Sequence, residues 1–305
     1  MREYLLSFMD LCEYPEESKP SLISAYDKIM SNAEAASEFD ALIKTYEADI
    51  NCNYDEIIKK SIAAGNKVGV HEYESQLLIF MCFTKQLKKL YNEKNLSEKV
   101  WFDSVLDLKY KLLECKAVKN IWGSFVAFWF PGFFQLNRFA LGRLQFEISI
   151  FDKDEYSKNG LTVKKGDKVI NIHIPRTLTP LTKESCDDAL SQAYEFYKDK
   201  IDGVPLAFIC YSWLLYPDND QVYNPKSNTY RYKSMFDIIG GHTDKPDSGY
   251  PDMWRLFDMD YTGNIDDYPG DTSLRRAFKE YLKNGGKTGE GYGIFFYDDY
   301  LARGI

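Results

Sequence analysis

Two short runs hold the side chains best suited to moving a proton. In Leu141-Gly-Arg-Leu-Gln-Phe-Glu147 the polar residues Arg143, Gln145 and Glu147 alternate with Leu144, Phe146 and the following Ile148. In Val169-Ile-Asn-Ile-His-Ile-Pro175, Asn171 and His173 alternate with Ile170, Ile172 and Ile174. A period of two puts each polar set on one face of a β-strand. The turn-like Lys165-Gly166-Asp167 lies between the runs, so the strands can pair antiparallel and merge into one stripe of Arg143, Gln145, Glu147, Asn171 and His173. On such a stripe Glu147 or His173 can take a proton, while amide and guanidinium groups hold a polar partner. A half-wet outer strand carries the same alternation without any chemistry. A third run, Leu206 to Leu215, sets Cys210 and Ser212 on one face and Ala207, Ile209, Tyr211 and Trp213 on the other. Cys210 reads as a buried thiol; as a nucleophile it would need a base, and His173 is the histidine on a neighbouring element.

The elements that must position these runs follow from hydrophobic period. Helices are expected over Arg2 to Leu11, Pro20 to Met30, Ala33 to Ala48, Tyr54 to Ala64, Glu72 to Tyr91 and Ser97 to Lys119, with Pro20 suited to a first turn and Gly65-Asn66 to a stop. At Asn120-Ile-Trp-Gly123 the composition shifts. The aromatic patch Trp122, Phe125, Phe128, Trp129, Phe130, Phe133 and Phe134 is expected to pack the two halves together or to form a flat apolar pocket. Beyond it the pattern predicts a helix Lys183 to Tyr197, the strand Leu206 to Leu215, a helix Asn228 to Ile238, a strand Met253 to Phe257, a helix Thr272 to Lys283 and a strand Tyr292 to Tyr297. The fold class is therefore α+β: a helical domain over residues 1–119, then a mixed α/β domain over residues 120–305 around a mostly antiparallel central sheet.

Composition narrows the function classes. The 305 residues include 23 Tyr, 20 Phe and 5 Trp, enough for a sizeable core, and a formal charge of -8 argues against a general nucleic-acid binder. Six cysteines without paired spacing fit reduced thiols in a cytoplasm, and three scattered histidines predict no metal site. The N-terminal apolar run carries acidic residues and makes a poor secretory signal, and Ile121 to Phe134 is too short to cross a bilayer, so no membrane partner is expected. Three motifs fail on context. Gly286-Lys287-Thr288 has Tyr281 where a phosphate loop needs its first Gly. Gly289, Gly291 and Gly293 precede a strand, which suits a turn. The calcium-like run from Asp258 to Asp266 reaches Pro269 where a bidentate Glu is required.

The stretches Leu141-Gly-Arg-Leu-Gln-Phe-Glu147, Lys165-Gly-Asp167 with Ile172-His-Ile-Pro175, Cys210-Tyr-Ser-Trp-Leu-Leu215, and Asp271-Thr-Ser-Leu-Arg-Arg276 followed by Gly285-Gly286 together resemble a bacterial acyltransferase family. Its members join a helical N-terminal acyltransferase domain to a GNAT-like C-terminal domain. The resemblance implies that Val169 to Ile174 is a central strand parting from Leu206 to Leu214, with an acyl-coenzyme A thioester as co-substrate in the opening and a small-molecule amine as acceptor. It implies Glu147 or His173 as base, Asn171 or a backbone N–H of its strand as a donor to the carbonyl oxygen, and Tyr211 or Tyr230 as acid. Arg143, Gln145, Asn171, Trp213 and Tyr230 would line the substrate. Arg176 and the helix start at Thr182, Glu184 and Ser185 would hold pyrophosphate. Two departures stand out: the connection Arg176-Thr-Leu-Thr-Pro-Leu-Thr182 lacks the family's glycine loop, and Tyr211 stands where relatives often carry His. A non-catalytic ligand-binding module on the same fold is the alternative, and a Cys210/His173 thiol carrier a third reading.

Overall fold

The computed structural model describes residues 1–201, 205–244 and 253–303. Two compact units divide between Ala140 and Leu141, after the aromatic segment and not before it. The first holds helices α1 (Arg2–Leu11), α2 (Ser18–Ser31), α3 (Ala33–Ala48), α4 (Tyr54–Asn66), α5 (Glu72–Glu93) and α6 (Glu98–Lys119), and a short α7 (Pro131–Phe134). Their starts are written in local chemistry. The Asn32 side chain accepts from the backbone of Glu34 and Ala35, and His71 with Glu74 forms a reciprocal capping box on α5. The core of this unit is aromatic: Tyr46 stacks on Phe83 at 4.4 Å, and Phe80 meets Phe130 and Phe134 edge-on or tilted at 5.0 and 5.1 Å. Phe130, Phe133 and Phe134 of the aromatic patch are thus core of the helical unit, while Phe128 stays exposed. No described helix is long and apolar enough to cross a membrane.

The division falls in strand β1 (Arg138–Leu141). The second unit then runs β2 (Leu144–Ile150), β3 (Glu155–Lys158), β4 (Leu161–Lys164), β5 (Lys168–His173), α8 (Lys183–Tyr197), β6 (Ala207–Ser212), α9 (Asn228–Ser234), β7 (Asp237–Thr243), α10 (Met253–Phe257), α11 (Ser273–Lys283), β8 (Gly289–Phe296) and α12 (Tyr297–Arg303). Among the described residues its sheet has the order β2-β5-β6-β8-β7, with β3 and β4 forming a separate hairpin. All the pairings in that order are antiparallel except β5 with β6, which α8 connects as a crossover.

The register sorts side chains at single-residue resolution. Phe146 lies opposite Ile172 and Ile170 opposite Phe208, which itself lies opposite Phe295, so these share a face with Cys210. Helices cover that face: Tyr197 of α8 donates to the Phe146 carbonyl at 3.0 Å, and Tyr232 of α9 donates to the Cys210 sulfur at 3.7 Å. The other face is split along its length. At one end Val169, Ala207, Ile209, Ile294 and Phe296 form a core with Phe151 and Val163 under the β3–β4 hairpin. At the other end the same strands carry Gln145, Glu147, Asn171, His173, Tyr211 and Tyr292.

Three elements differ from expectation. Residues 253–257 form a helix, because Met253, Leu256 and Phe257 bury at the spacing of one helical face, which a short apolar run does not separate from a strand. The helix at Asn228 stops at Ser234, and Asp237–Thr243 continues as an edge strand that its glycine pair concealed. Gly289, Gly291 and Gly293 lie inside β8 and are not a turn. A Cβ at Gly291 would sit 2.0 Å from the Leu215 carbonyl oxygen, and one at Gly293 would sit 2.7 Å from Phe236, so the run is small because neighbours press on the strand.

Candidate active site

The two polar runs meet as the alternation implied. Gln145 lies opposite His173 and Glu147 opposite Asn171 across the β2–β5 ladder. The His173 Nε2 and Glu147 Oε1 are 2.7 Å apart, both side chains being about four-fifths buried at 18% and 21% exposure. With the proton on Nε2 the ring donates to the carboxylate and keeps Nδ1 in its acceptor form. The Asn171 amide nitrogen donates to Glu147 Oε1 at 3.5 Å and lies 3.3 Å from His173 Nε2. Its Oδ1 is buried with no hydrogen-bond partner among the described residues. In this orientation the Asn171 side chain turns an acceptor away from Glu147, which suits an N–H group. Gln145 is buried beside them.

The position of this cluster comes from the ladder next to it. β5 and β6 pair at Ile170 with Phe208 and at Asn171 with Ile209, and among the described residues the parallel pairing stops there. His173 and Tyr211 each stand two residues further on, on the same face, at the mouth where the strands part. The Tyr211 hydroxyl is 2.6 Å from Nδ1 of His242 on β7. His242 was missed by sequence reasoning because Gly240-Gly241 masked its strand; its signal was that it is one of only three histidines.

Other candidates fall elsewhere. Cys210 is on the opposite face from His173, so the paired-thiol reading fails on geometry, and burial pushes its thiol up to about 12. Arg143 stands in the turn before β2 and donates to the carbonyls of Thr179 and Pro175 at 3.0 and 2.9 Å, bracing the loop after β5. Trp213 opens a short 3-10 helix and lines a small apolar cavity with Met253, Leu256 and Phe278. Tyr230 lies in the first turn of α9, its N–H capped by Ser227. Arg176 makes two contacts to Asp258, one through Nη2 at 2.9 Å, and Arg275 shares that carboxylate at 2.6 Å. At the start of α8 the Thr182 hydroxyl accepts from the Ser185 N–H at 3.2 Å, and the Ser185 hydroxyl turns back to the Thr182 carbonyl. The Glu184 carboxyl is held below its usual range by its own backbone N–H and by Thr182. The expected anion positions thus carry the protein's own carboxylates.

Residues 138–295 match the family model described as the GNAT-like C-terminal domain, and residues 3–136 match the N-acyltransferase N-terminal domain. Among solved structures, a mutant acyltransferase in complex with octanoyl-CoA superposes with a TM-score of 0.73 at 16% identity, covering 96% of this chain and 88% of its own. An acyltransferase in complex with decanoyl-CoA and teicoplanin gives a TM-score of 0.71 at 17% identity over 95% and 86%. No curated protein matches the sequence. The α+β architecture expected from the sequence, a helical part followed by a GNAT-like domain with a mostly antiparallel sheet, is the architecture present.

Proposed function

Since the chain belongs to the N-acyltransferases that pair this N-terminal domain with a GNAT-like C-terminal domain, we propose that it moves an acyl group from acyl-coenzyme A to an amine at the mouth between β5 and β6. The observation that carries the site is the 2.7 Å bond between His173 and Glu147 at the end of the β5–β6 ladder. Glu147 holds the imidazole in one tautomer, and His173 Nδ1 takes the proton that the amine loses as it attacks the thioester carbonyl. Asn171 Oδ1 accepts a second N–H of the amine and so orients its lone pair. The C–S bond then breaks and coenzyme A leaves as the thiol.

For the coenzyme A phosphates we propose the loop from Arg176 and the start of α8 at Thr182, Glu184 and Ser185. There Arg176 would exchange Asp258 for a phosphate oxygen, and the helix start would exchange the Glu184 carboxylate for another, a like-for-like replacement of anions. Solved relatives by fold hold octanoyl- and decanoyl-CoA, so medium-chain thioesters are the first donors to test. The test follows free thiol released from octanoyl-CoA and decanoyl-CoA across a panel of amines, glycopeptide amines included. Amine-dependent thiol release that drops in His173→Gln supports the assignment; release unaffected by that change removes His173 from the chemistry.

A further inference from the structure

His173 and Glu147 account for the proton the amine loses, but an alkylthiolate leaving group must also gain one. The same face of the sheet carries a second chain of groups, one strand over. Tyr211 is 46% exposed at the mouth, and its hydroxyl meets His242 Nδ1 at 2.6 Å. The opposite ring nitrogen, Nε2, lies 3.4 Å from Asp244 Oδ1. Asp244 is anchored: Oδ2 accepts from the Thr288 hydroxyl at 2.5 Å, and its N–H donates to the Thr288 carbonyl at 2.9 Å. The two ends differ in solvation, with the His242 side chain 51% exposed and that of Asp244 only 4%. A buried carboxylate fixed behind an imidazole keeps a proton on the near nitrogen and orients the ring, while the far nitrogen exchanges with the phenol. Glu290 is the register partner of His242 and adds a second carboxylate on that strand pair.

We propose that His242 and Asp244 are positioning residues that feed a solvent proton through Tyr211 to the departing sulfur. The proposal rests on the acyl-transfer reading above. As the tetrahedral adduct collapses, the C–S bond breaks and its electron pair goes to sulfur. His242 enters the step protonated on both ring nitrogens: the Tyr211 hydroxyl proton passes to that sulfur, the Nδ1 proton of His242 passes to the phenolate oxygen while the Nε2 proton stays toward Asp244, and a solvent proton returns to Nδ1 from the exposed side. Protons and electrons balance without any further reactant. An ordinary surface Tyr–His pair has neither the buried carboxylate at one end nor the strand mouth at the other.

Leaving-group acidity tests this directly. Two octanoyl thioesters are compared with one amine in the full-length protein: that of N-acetylcysteamine, whose alkyl thiolate needs a proton, and that of 4-nitrothiophenol, whose thiolate leaves without one. For His242→Gln and Tyr211→Phe, kcat should fall about a hundredfold on the alkyl thioester and stay within about twofold on the aryl one. Asp244→Asn should show the same pattern with a smaller drop. An equal fall on both donors, or no fall on either, overturns the relay while leaving acyl transfer standing. A parent protein that turns over neither donor overturns the acyl-transfer reading and the relay with it.

Discussion

The two faces of the central sheet are made from the same strands and do opposite work. Toward α8 and α9, Phe146, Ile170, Ile172, Phe208 and Cys210 are all buried, and two tyrosine hydroxyls reach this row, one on the Phe146 carbonyl and one on the Cys210 sulfur. One residue along in each strand, Gln145, Glu147, Asn171, His173 and Tyr211 point to the other side, where the His173 imidazole, Glu147 carboxylate and Asn171 amide lie within hydrogen-bond reach of one another and the Tyr211 phenol meets His242. A strand's period of two lets a dry core and the proposed proton-transfer site share one backbone, so each face holds the other in register. The contrast extends to cysteine, since burial on the dry face pushes the Cys210 thiol up to about 12.

The largest effect expected from disturbing this contrast is on the dry face. Phe208 is fully buried and stacks on Phe295 at 5.4 Å, so Phe208→Ala should cost about 3 to 5 kcal/mol of unfolding free energy. Denaturant melts showing a loss below about 1 kcal/mol would mean that this face is not a packed core. On the wet face the loss should be in rate. Glu147→Gln and His173→Gln should each lower kcat about a hundredfold, or about 2.7 kcal/mol of barrier, with little change in melting. If either variant instead loses stability and keeps its rate, the two faces have been assigned the wrong way round.

Arg176→Ala should have a smaller effect. Its guanidinium must first leave Asp258, which Arg275 continues to hold, so coenzyme A affinity should weaken by about tenfold, the low end for a hydrogen bond to a charged group. Calorimetry giving an unchanged dissociation constant would put the phosphates elsewhere. The smallest effect concerns Cys210. Its folded thiol is pushed up to about 12 by burial, so the thiolate is scarcer than in an ordinary cysteine at every lower pH. In a Cys52→Ser background, alkylation of native Cys210 should therefore stay far slower than that of an ordinary thiol near 8.5 from about pH 7 to 10, and should still be climbing with pH where the ordinary thiol levels off. A labelling rate that matches a free thiol and levels off at about pH 9 would return Cys210 to consideration.

Much of this was legible in the chain. The alternation in residues 141–150 and 169–174 was enough to place Glu147, Asn171 and His173 on one stripe, because β side-chain direction depends only on residue parity. Helix starts at Asn32, Ser97 and Thr182 follow from capping chemistry, which is local. Other features were hidden for stated reasons. Met253–Phe257 is too short for its period to separate helix from strand. The glycines of β8 look like turn residues until Leu215 and Phe236 are seen pressing against them.

Parity, capping and composition thus determined from sequence alone which residues share a strand face, where the long helices begin, and that the chain builds a helical part and a sheet part. Tertiary structure alone decided which strands adjoin, where a parallel ladder ends, and who faces whom across gaps of many residues. It carried His242 from an edge strand to the Tyr211 hydroxyl, turned the amide nitrogen of Asn171 toward Glu147, and gave Arg176 an Asp258 partner 82 residues away. Those contacts depend on distances between elements set by packing, and no local rule of the backbone encodes them.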